Sequence, residues 1–346
     1  MLGDTVRETM QPLVPTYTLP DDRYAVVVNA NAGRVTPRLA RRLRSVVPAH
    51  RLHLTESPEH AEQVVQHCVE QEVGTIFAGG GDGTIVGVIN SLNRLQTDAP
   101  LPRVGVLRLG TGNALARWLG SGQPMRDLLR WQGGMVHRAV PVSMVETEGD
   151  WFPFGGLGQD AAVLNDYNAL KSEHAHQPWW PLLKGVSGYF AAALLKTIPQ
   201  WLGRERPRVT VTNLGAPASR VGPDGVETGP PIPTGGVLYQ GSCSMLGVAT
   251  TPLLGYGMRM FPHATRRAGR FQLRILDTSP LQSLRHLPAA WKGTLDTPRL
   301  TDLYADRVRV VFDTAMPWQL AGEAQGYRRE LTFGIAEMPI TLVGQA

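Results

Sequence analysis

One carboxylate stands within the glycine-rich stretch FAGGGDGTIVGVINSL, which runs from Phe77 to Leu92. Asp82 follows three glycines and precedes Gly83 and Thr84. Glycines let backbone N–H groups approach a phosphate closely, and a helix that follows presents its positive end. A carboxylate beside a phosphate is costly unless it meets Mg²⁺ or takes the proton of a substrate hydroxyl. The stretch therefore indicates phosphate chemistry, with a helix-capping turn residue as the alternative role for Asp82.

Two further turns of small or polar residues follow predicted strands, at residues 29–34 and 110–113. Ligands of parallel α/β sheets bind at the carboxyl ends of the strands, so the three turns are expected to share one site. The sequence contains neither a G-x-G-x-x-G fingerprint nor a Walker A lysine, which disfavours an ordinary dinucleotide or P-loop site. Three tight βα turns without a ligand are the alternative.

The elements that carry these turns alternate between strand and helix in the first part of the chain. Continuous apolar runs such as YAVVVN predict buried parallel strands, and amphipathic segments such as SPEHAEQVVQHCVEQ predict the helices between them. After about residue 138, short alternating runs predict antiparallel strands. The predicted fold is an α/β domain with a parallel sheet followed by an all-β sandwich. The predicted boundaries are a flexible leader over 1–22, the α/β domain over 23–138 and the sandwich over 139–346.

Composition limits the environment and the partners. The chain has 346 residues, a net charge of +5 and a pI of about 9.4, which favours anionic partners mildly, with solubility alone as an equal alternative. Two cysteines cannot form a disulfide framework, and no cysteine or histidine spacing predicts a metal site. The longest apolar window, 186–195, is too short to span a bilayer. A cytoplasmic protein that does not bind nucleic acid is expected.

The motifs together resemble the catalytic domain of the diacylglycerol kinase and sphingosine kinase superfamily. NANAG precedes GGGDGT, and LGTGNALAR follows it. Downstream, GGLGQDAAV resembles the family's G-x-G-x-D-A segment, MRMFPHATRRAGRFQLRIL its metal-region hairpin, and WQLAGEAQG its D-G-E motif. G-G-D-G-T alone is shared with NAD kinases, whereas the ordered set is specific.

The resemblance implies an ATP-dependent kinase of lipid hydroxyl groups, acting on a diacylglycerol or sphingoid-type acceptor with Mg²⁺. The first domain would bind the nucleotide and the second the lipid. Asp82 and Glu323 would be the catalytic residues, Glu323 as the general base, with a solvated hairpin glutamate as its alternative. The nucleotide and its phosphates would contact the remaining candidates: Asn29, Asn31, Ala32, Gly33, Arg34, Thr55, Gly80, Gly81, Gly83, Thr84, Thr111 and Asn113.

The acceptor is expected at a membrane surface, so peripheral attachment to the inner membrane face stays an alternative, as does a homodimer. Trp179, Trp180 and Trp201 lie among lysines at 171, 184 and 196, a composition typical of interfacial membrane contact. A helix packed on its own domain is the competing interpretation of this segment.

The sequence departs from the family at acidic positions. Ala321 replaces the aspartate of D-G-E, and Ala268 stands where bacterial lipid kinases usually carry aspartate. Val86 and Gly87 replace the usual asparagine and glutamate. The accessory Mg²⁺ site of the bacterial enzymes is therefore expected to be absent. An NAD kinase-like enzyme and a catalytically silent nucleotide- or lipid-binding relative remain the alternatives.

Overall fold

The structure is a computed structural model that describes residues 16–95, 100–174, 176–177, 183 and 185–345. Strands and helices alternate in its first part. Their bounds are β1 (Thr16–Thr18), β2 (Tyr24–Asn29), α1 (Pro37–Val46), β3 (Leu52–Thr55), α2 (Pro58–Glu70), β4 (Thr75–Gly80), α3 (Asp82–Arg94), β5 (Arg103–Arg108), α4 (Ala114–Trp118), α5 (Pro124–Gln132) and β6 (His137–Val142).

The rest of the chain is rich in strands. They are β7 (Val145–Thr147), β8 (Asp150–Phe152), β9 (Phe154–Gly158), β10 (Arg208–Asn213), β11 (Ala218–Val221), β12 (Glu227–Ile232), β13 (Val237–Ser242), β14 (Met245–Ala249), β15 (Phe271–Leu276), β16 (Leu300–Ala305), β17 (Arg307–Leu320), β18 (Glu323–Ile335) and β19 (Ile340–Gln345). The helices are α6 (Gln159–His174), α7 (Val186–Ala192), α8 (Ile198–Trp201) and α9 (Pro280–Lys292), and a π-helical turn joins α7 to α8.

The first sheet is mixed and has the strand order β1-β6-β19-β5-β4-β2-β3. Strands β2 to β5 and β19 run parallel, whereas β1 and β6 pair antiparallel. The α/β prediction is confirmed, but the sheet is not purely parallel. The last strand returns from the second part to lie between β5 and β6, so residues 340–345 complete the first sheet. Residues 16–18 of the predicted leader form β1, and residues 1–15 lie outside the described part.

Local sequence explains how these elements begin and where the core lies. The hydroxyl of Ser57 accepts the backbone N–H of His60, and Pro58 opens α2, as the sequence predicts. The central strands are buried on both faces, because side chains of β2 alternate between two apolar clusters. One cluster holds Val27 and the other holds Val26. Helices therefore cover the sheet on both sides.

The second sheet confirms the predicted antiparallel part. Its twelve strands run antiparallel, with β9, β17 and β18 at the centre beside β14 and β15. Phe152, Trp318 and Phe333 form edge-to-face and tilted ring contacts in its core. Helices α6 to α9 accompany this sheet, so the second part is not all-β. No helix among the described residues is both long and apolar enough to cross a membrane.

Candidate functional site

A cavity of about 600 Å³ lies where β2, β4 and β5 end at the carboxyl edge of the first sheet. Its opposite wall comes from α6, α7, α9 and the turn between β17 and β18. The predicted site residues that line it are Asn29, Ala32, Gly33, Gly81, Asp82, Gly83, Thr84, Thr111 and Glu323. Asn31, Arg34, Thr55, Gly80 and Asn113 surround this end of the sheet without lining the cavity.

The glycine run is required by close packing rather than by a left-handed backbone. A Cβ on Gly79 would meet the side chain of Val28 at 2.8 Å, and one on Gly80 would collide with Thr84. Neither glycine has a positive φ, and Gly83 already belongs to α3. A Cβ on Gly81 has room, at 3.6 Å from Gly110. The run therefore lets two strand ends and α3 meet at the cavity.

Asp82 holds two segments of the first domain together. Its buried carboxylate accepts the backbone N–H groups of Ala114 at 2.9 Å and Leu115 at 3.0 Å, in the first turn of α4. Burial raises the pKa of Asp82, and these hydrogen bonds oppose the rise. The helix-capping role predicted as the alternative for Asp82 is present. Asp82 caps α4, however, and not α3, the helix that begins at Asp82 itself.

Asn113, together with Asn29 at the end of β2 and Asn31 after it, also fixes turns. Asn113 adopts a left-handed backbone (φ 52°), and its side chain bonds both the N–H and the C=O of Gly110. The amide of Asn29 donates to the hydroxyl of Thr84 at 3.2 Å, while its oxygen accepts the backbone N–H of Asn31. Thr55 is buried and donates to the carbonyl of Val28. These side chains position the glycine turns.

Glu323 reaches the glycine turn from the second part of the chain. It follows Ala321 and Gly322, which both have positive φ and form the two-residue turn between β17 and β18. Its carboxylate lies so close to Gly83 that a Cβ there would stand 2.6 Å from Oε1. Glu323 is exposed as a residue, which is consistent with the solvated-hairpin alternative, but partial desolvation of its carboxylate beside the glycine turn raises its pKa; Lys171 lowers the pKa and Asp82 raises it further. A carboxylate whose pKa is raised beside a glycine turn in a cavity is suited to take a proton.

Three arginines form a positive cluster beside the same turns. The backbone N–H of Arg34 donates to Leu109 O, which places Arg34 next to the last residue of β5, Arg108. Burial lowers the pKa of Arg117 in α4, and the charges of Arg108 and Arg34 lower it further. Within the described chain none of the three forms an ion pair, so their charge is available to an anion. Of the three, only Arg34 was predicted from the sequence.

Asp160 and Gln319 form a polar pair that the sequence candidates omitted. The amide of Gln319 donates to Asp160 Oδ2 at 3.2 Å and accepts the N–H of Gly322 at 2.8 Å, which connects Asp160 to the turn before Glu323. Burial raises the pKa of Asp160 to about 6. The aspartate of the G-x-G-x-D-A segment was the signal that could have identified it.

Beyond these polar groups the cavity is lined mainly by apolar side chains. Three tyrosines line the cavity and contact one another through their rings. Tyr167 stacks on Tyr189 with 4.3 Å between ring centres, and Tyr189 meets Tyr256 edge to face. The apolar lining includes Phe154, Leu164, Phe190, Ile198, Trp201, Met258, Met260, Leu276, Leu284, Leu287, Trp291 and Leu295. Of the predicted membrane-contact residues, Trp201 lines the cavity, and Trp179, Trp180 and Lys184 lie outside the described residues.

A buried ion pair anchors the loop that forms part of this apolar wall. Arg274 bonds both oxygens of Asp302, at 2.8 and 2.6 Å, and its third nitrogen donates to the carbonyl of Met260 at 2.6 Å. The same loop contacts the first domain, because Tyr256 N donates to Gly112 O at 3.0 Å. The apolar wall and the 110–113 turn are thus directly linked.

The acidic groups fit a metal ion that arrives with phosphates better than a resident one. Within the described ranges, no three His, Cys, Asp or Glu side chains converge on a point. Mg²⁺ usually keeps several waters and binds one or two carboxylates together with substrate phosphates. Asp82 at the glycine turn supplies one such carboxylate, and Glu323 lies near enough to interact with it electrostatically.

Comparison with known proteins agrees with this architecture. Residues 23–144 match the family described as "Diacylglycerol kinase catalytic domain". Proteins named "Probable lipid kinase YegS-like" from Yersinia pestis (strain Pestoides F) and Yersinia pseudotuberculosis serotype O:1b (strain IP 31758) are each 26% identical over 275 residues, 77% of this chain and 75% of theirs.

Solved structures show the same fold. A putative diacylglycerol kinase from Bacillus anthracis str. Sterne superimposes with a TM-score of 0.63 at 19% identity, covering 93% of this chain and 95% of that one. A diacylglycerol kinase structure from the same organism gives a TM-score of 0.59 at 17% identity, with coverage of 93% and 96%. Residues 23–144 thus resemble a diacylglycerol kinase catalytic domain, most of the chain resembles the lipid kinase-like relatives, and the solved structures share its fold.

Proposed function

We propose that this protein transfers the γ-phosphoryl group of ATP to the hydroxyl group of a lipid. The observation that carries the proposal is the cavity itself. Its polar end joins the glycine turns of the first sheet to Glu323, and its other end is apolar. An enzyme that phosphorylates a lipid needs these two environments side by side. The match of residues 23–144 to the diacylglycerol kinase catalytic domain and the lipid kinase names of the relatives support the same activity.

The nucleotide phosphates would lie at the polar end. Backbone N–H groups near Gly33 and Gly81, together with the start of α3, provide partial positive charge there. The nearby cluster of Arg34, Arg108 and Arg117 adds formal charge. Asp82 would hold Mg²⁺ through lone pairs that its two backbone hydrogen bonds leave free, and the ion would neutralise phosphate charge when it is bound.

Glu323 would act as the general base for the acceptor hydroxyl. It is the carboxylate on the turn that faces the glycine run, whereas both oxygens of Asp82 already accept backbone N–H groups. Its raised pKa brings it closer to the pH at which proton transfer is efficient. The backbone N–H of Gly322 donates to the side-chain oxygen of Gln319, and this hydrogen bond fixes the turn that carries Glu323. Asp82 then fixes the start of α4 after the 110–113 turn, in addition to the metal-holding role proposed above.

The acceptor would enter from a membrane surface, since a lipid of this kind resides there. We propose peripheral attachment, with the segment around Phe190, Leu194 and Leu195 as a candidate contact, because it exposes apolar side chains next to the cavity. A homodimer remains a prediction from sequence.

A label-transfer assay tests the proposal. The protein is incubated with [γ-³²P]ATP, Mg²⁺ and a total lipid extract, and with NAD in a parallel reaction. Label in a lipid product that Glu323→Gln does not form supports the lipid kinase. Label in NAD alone would support the NAD kinase alternative, and ATP binding without any labelled product would support the silent relative.

A further inference from the structure

The cavity contains one lysine to which the proposed mechanism gives no contact with substrate. Among the described residues that line the cavity, Lys171 is the one lysine or arginine, whereas Asp82, Asp160 and Glu323 are acidic. The arginine cluster beside the glycine turns does not line it. ATP and the transferred group bring further negative charge into this space, and phosphoryl transfer needs that charge neutralised. Lys171 is therefore a candidate partner for a phosphoryl group.

Helix α6 directs Lys171 into the cavity. The residues of α6 that line the cavity recur at intervals of three or four, which is the spacing of one helix face, and Lys171 is the last of them. One turn earlier, the hydroxyl of Tyr167 accepts the backbone N–H of Gly185 at 3.4 Å. A Cβ on Gly185 would in turn lie 3.8 Å from Thr111 Cγ2. This end of α6 therefore stands beside the 110–113 turn, one of the turns proposed to hold the nucleotide phosphates.

Lys171 lies near Glu323 without pairing with it. The charge of Lys171 lowers the pKa of Glu323, so the two groups interact electrostatically. Within the described chain, however, neither side chain forms an ion pair or a hydrogen bond. Lys196, by contrast, pairs with Glu173 at 3.2 Å. A base and a cation that are close but not in contact leave space for a group that meets both of them. A phosphoryl group passing to a hydroxyl that Glu323 activates is such a group.

We propose that the ammonium group of Lys171 donates a hydrogen bond to a non-bridging oxygen of the γ-phosphoryl group during its transfer, and then to the phosphate of the lipid product. This inference rests on the proposed lipid kinase function and adds a catalytic residue to it. Hydrogen bonds between charged groups are the strong ones, and a donor aimed at charge that develops in the transition state accelerates the reaction.

The step balances without any covalent change in Lys171. The bond between the γ-phosphorus and the oxygen that bridges to the β-phosphate breaks, and its electron pair leaves with ADP. The acceptor oxygen forms the new bond to phosphorus, and its proton passes to Glu323. Lys171 keeps its three ammonium protons throughout.

Rate measurements provide the first test. Lys171→Met should lower kcat for phosphorylation of 1,2-dioleoylglycerol by about 10²-fold, the scale for losing one donor to a developing negative charge. Lys171→Arg keeps the charge and should restore most of the rate. Lys292→Met is the matched control, because Lys292 is exposed in the last turn of α9 and does not line the cavity. That variant should keep the wild-type kcat.

Product binding distinguishes direct contact from an effect that acts only through Glu323. Calorimetry compares the affinities for 1,2-dioleoyl phosphatidate and 1,2-dioleoylglycerol in the same detergent micelles, in a Glu323→Gln background that has no carboxylate at this position to titrate. There Lys171→Met should weaken phosphatidate binding by about tenfold, the scale of a hydrogen bond to a charged group. Binding of the diacylglycerol should be unchanged.

The outcomes separate this inference from the proposed function. Wild-type kcat in folded Lys171→Met, as judged by thermal unfolding, would overturn the inference and leave the lipid kinase intact. So would equal phosphatidate affinities with and without Lys171 in the Glu323→Gln background, because the lysine would then act only on Glu323. A rate that Lys171→Arg does not restore would contradict a role for the charge. Failure of the wild type to phosphorylate any lipid would overturn the proposed function and this inference together.

Discussion

Replacing Gly83 by alanine should displace the carboxylate of Glu323 and little else. The new Cβ would lie 2.6 Å from Oε1 and about 3 Å from Cγ and Cδ of Glu323. Ordinary van der Waals separation begins at 3.4 Å, so the carboxylate must retreat by about 0.8 Å. A misplacement of about 1 Å in a reacting group can cost about 10²-fold in rate. We therefore expect kcat for lipid phosphorylation to fall by about 10²-fold.

Folding should not confound this result. Gly83 lies in the first turn of α3 without a positive φ, and alanine favours a helix over glycine by up to about 1 kcal/mol. Thermal unfolding should therefore occur at the wild-type temperature or above it. Gly87→Ala is the matched control, because its Cβ would enter open space on the same helix. That variant should keep full activity.

A double-mutant cycle gives the decisive comparison. In the Glu323→Gln background, Gly83→Ala should cause almost no further loss of kcat, because the group that it displaces no longer acts as a base. ATP affinity, measured by calorimetry, should change little in either background. Wild-type kcat in Gly83→Ala, or losses that simply multiply in the double variant, would refute the reasoning that Glu323 is the base.

Three further substitutions test other parts of the account. Lys171→Met removes the charge that lowers the pKa of Glu323, so the acid limb of the kcat/KM pH profile should move to higher pH; an unmoved limb would contradict the assignment. Asp82→Asn should lower the free energy of unfolding by about 1–3 kcal/mol, because one backbone donor of α4 loses its acceptor. If urea unfolding gave the Asp82→Asn variant the same free energy of unfolding as the wild type, the capping role of Asp82 would be contradicted. Asp302→Ala should cost about 3–5 kcal/mol by leaving Arg274 buried and unpaired, and a smaller loss in denaturant unfolding would mean that the guanidinium reaches solvent.

Local patterns in the sequence were sufficient to predict much of the first sheet. Apolar runs, Ser57 with Pro58, and glycine turns after strands are signals carried within a few residues. The course of residues 340–345 could not be predicted in this way. Their apolar composition indicates a strand, but nothing local specifies that the strand inserts between β5 and β6, some 200 residues earlier in the chain.

The site shows the same division between local and distant information. The sequence motifs predicted Asp82 and Glu323 as site residues, and both line the cavity. The partners that determine their roles come from elsewhere in the chain: the capped turn of α4 for Asp82 and the approach to Gly83 for Glu323. The Asp160–Gln319 pair spans 159 residues of sequence. Such pairs arise from tertiary packing, which periodicity and spacing do not encode.

The most direct test of the central claim is the initial rate of phosphate transfer from [γ-³²P]ATP to 1,2-dioleoylglycerol, measured for the wild type and Glu323→Gln at saturating nucleotide. We predict steady formation of labelled lipid by the wild type. We also predict a rate at least 10²-fold lower for the variant, the scale for losing a positioned general base, with ATP binding preserved. Equal rates for the two proteins, or label released only as inorganic phosphate by the wild type, would contradict the claim that Glu323 activates a lipid hydroxyl in this cavity.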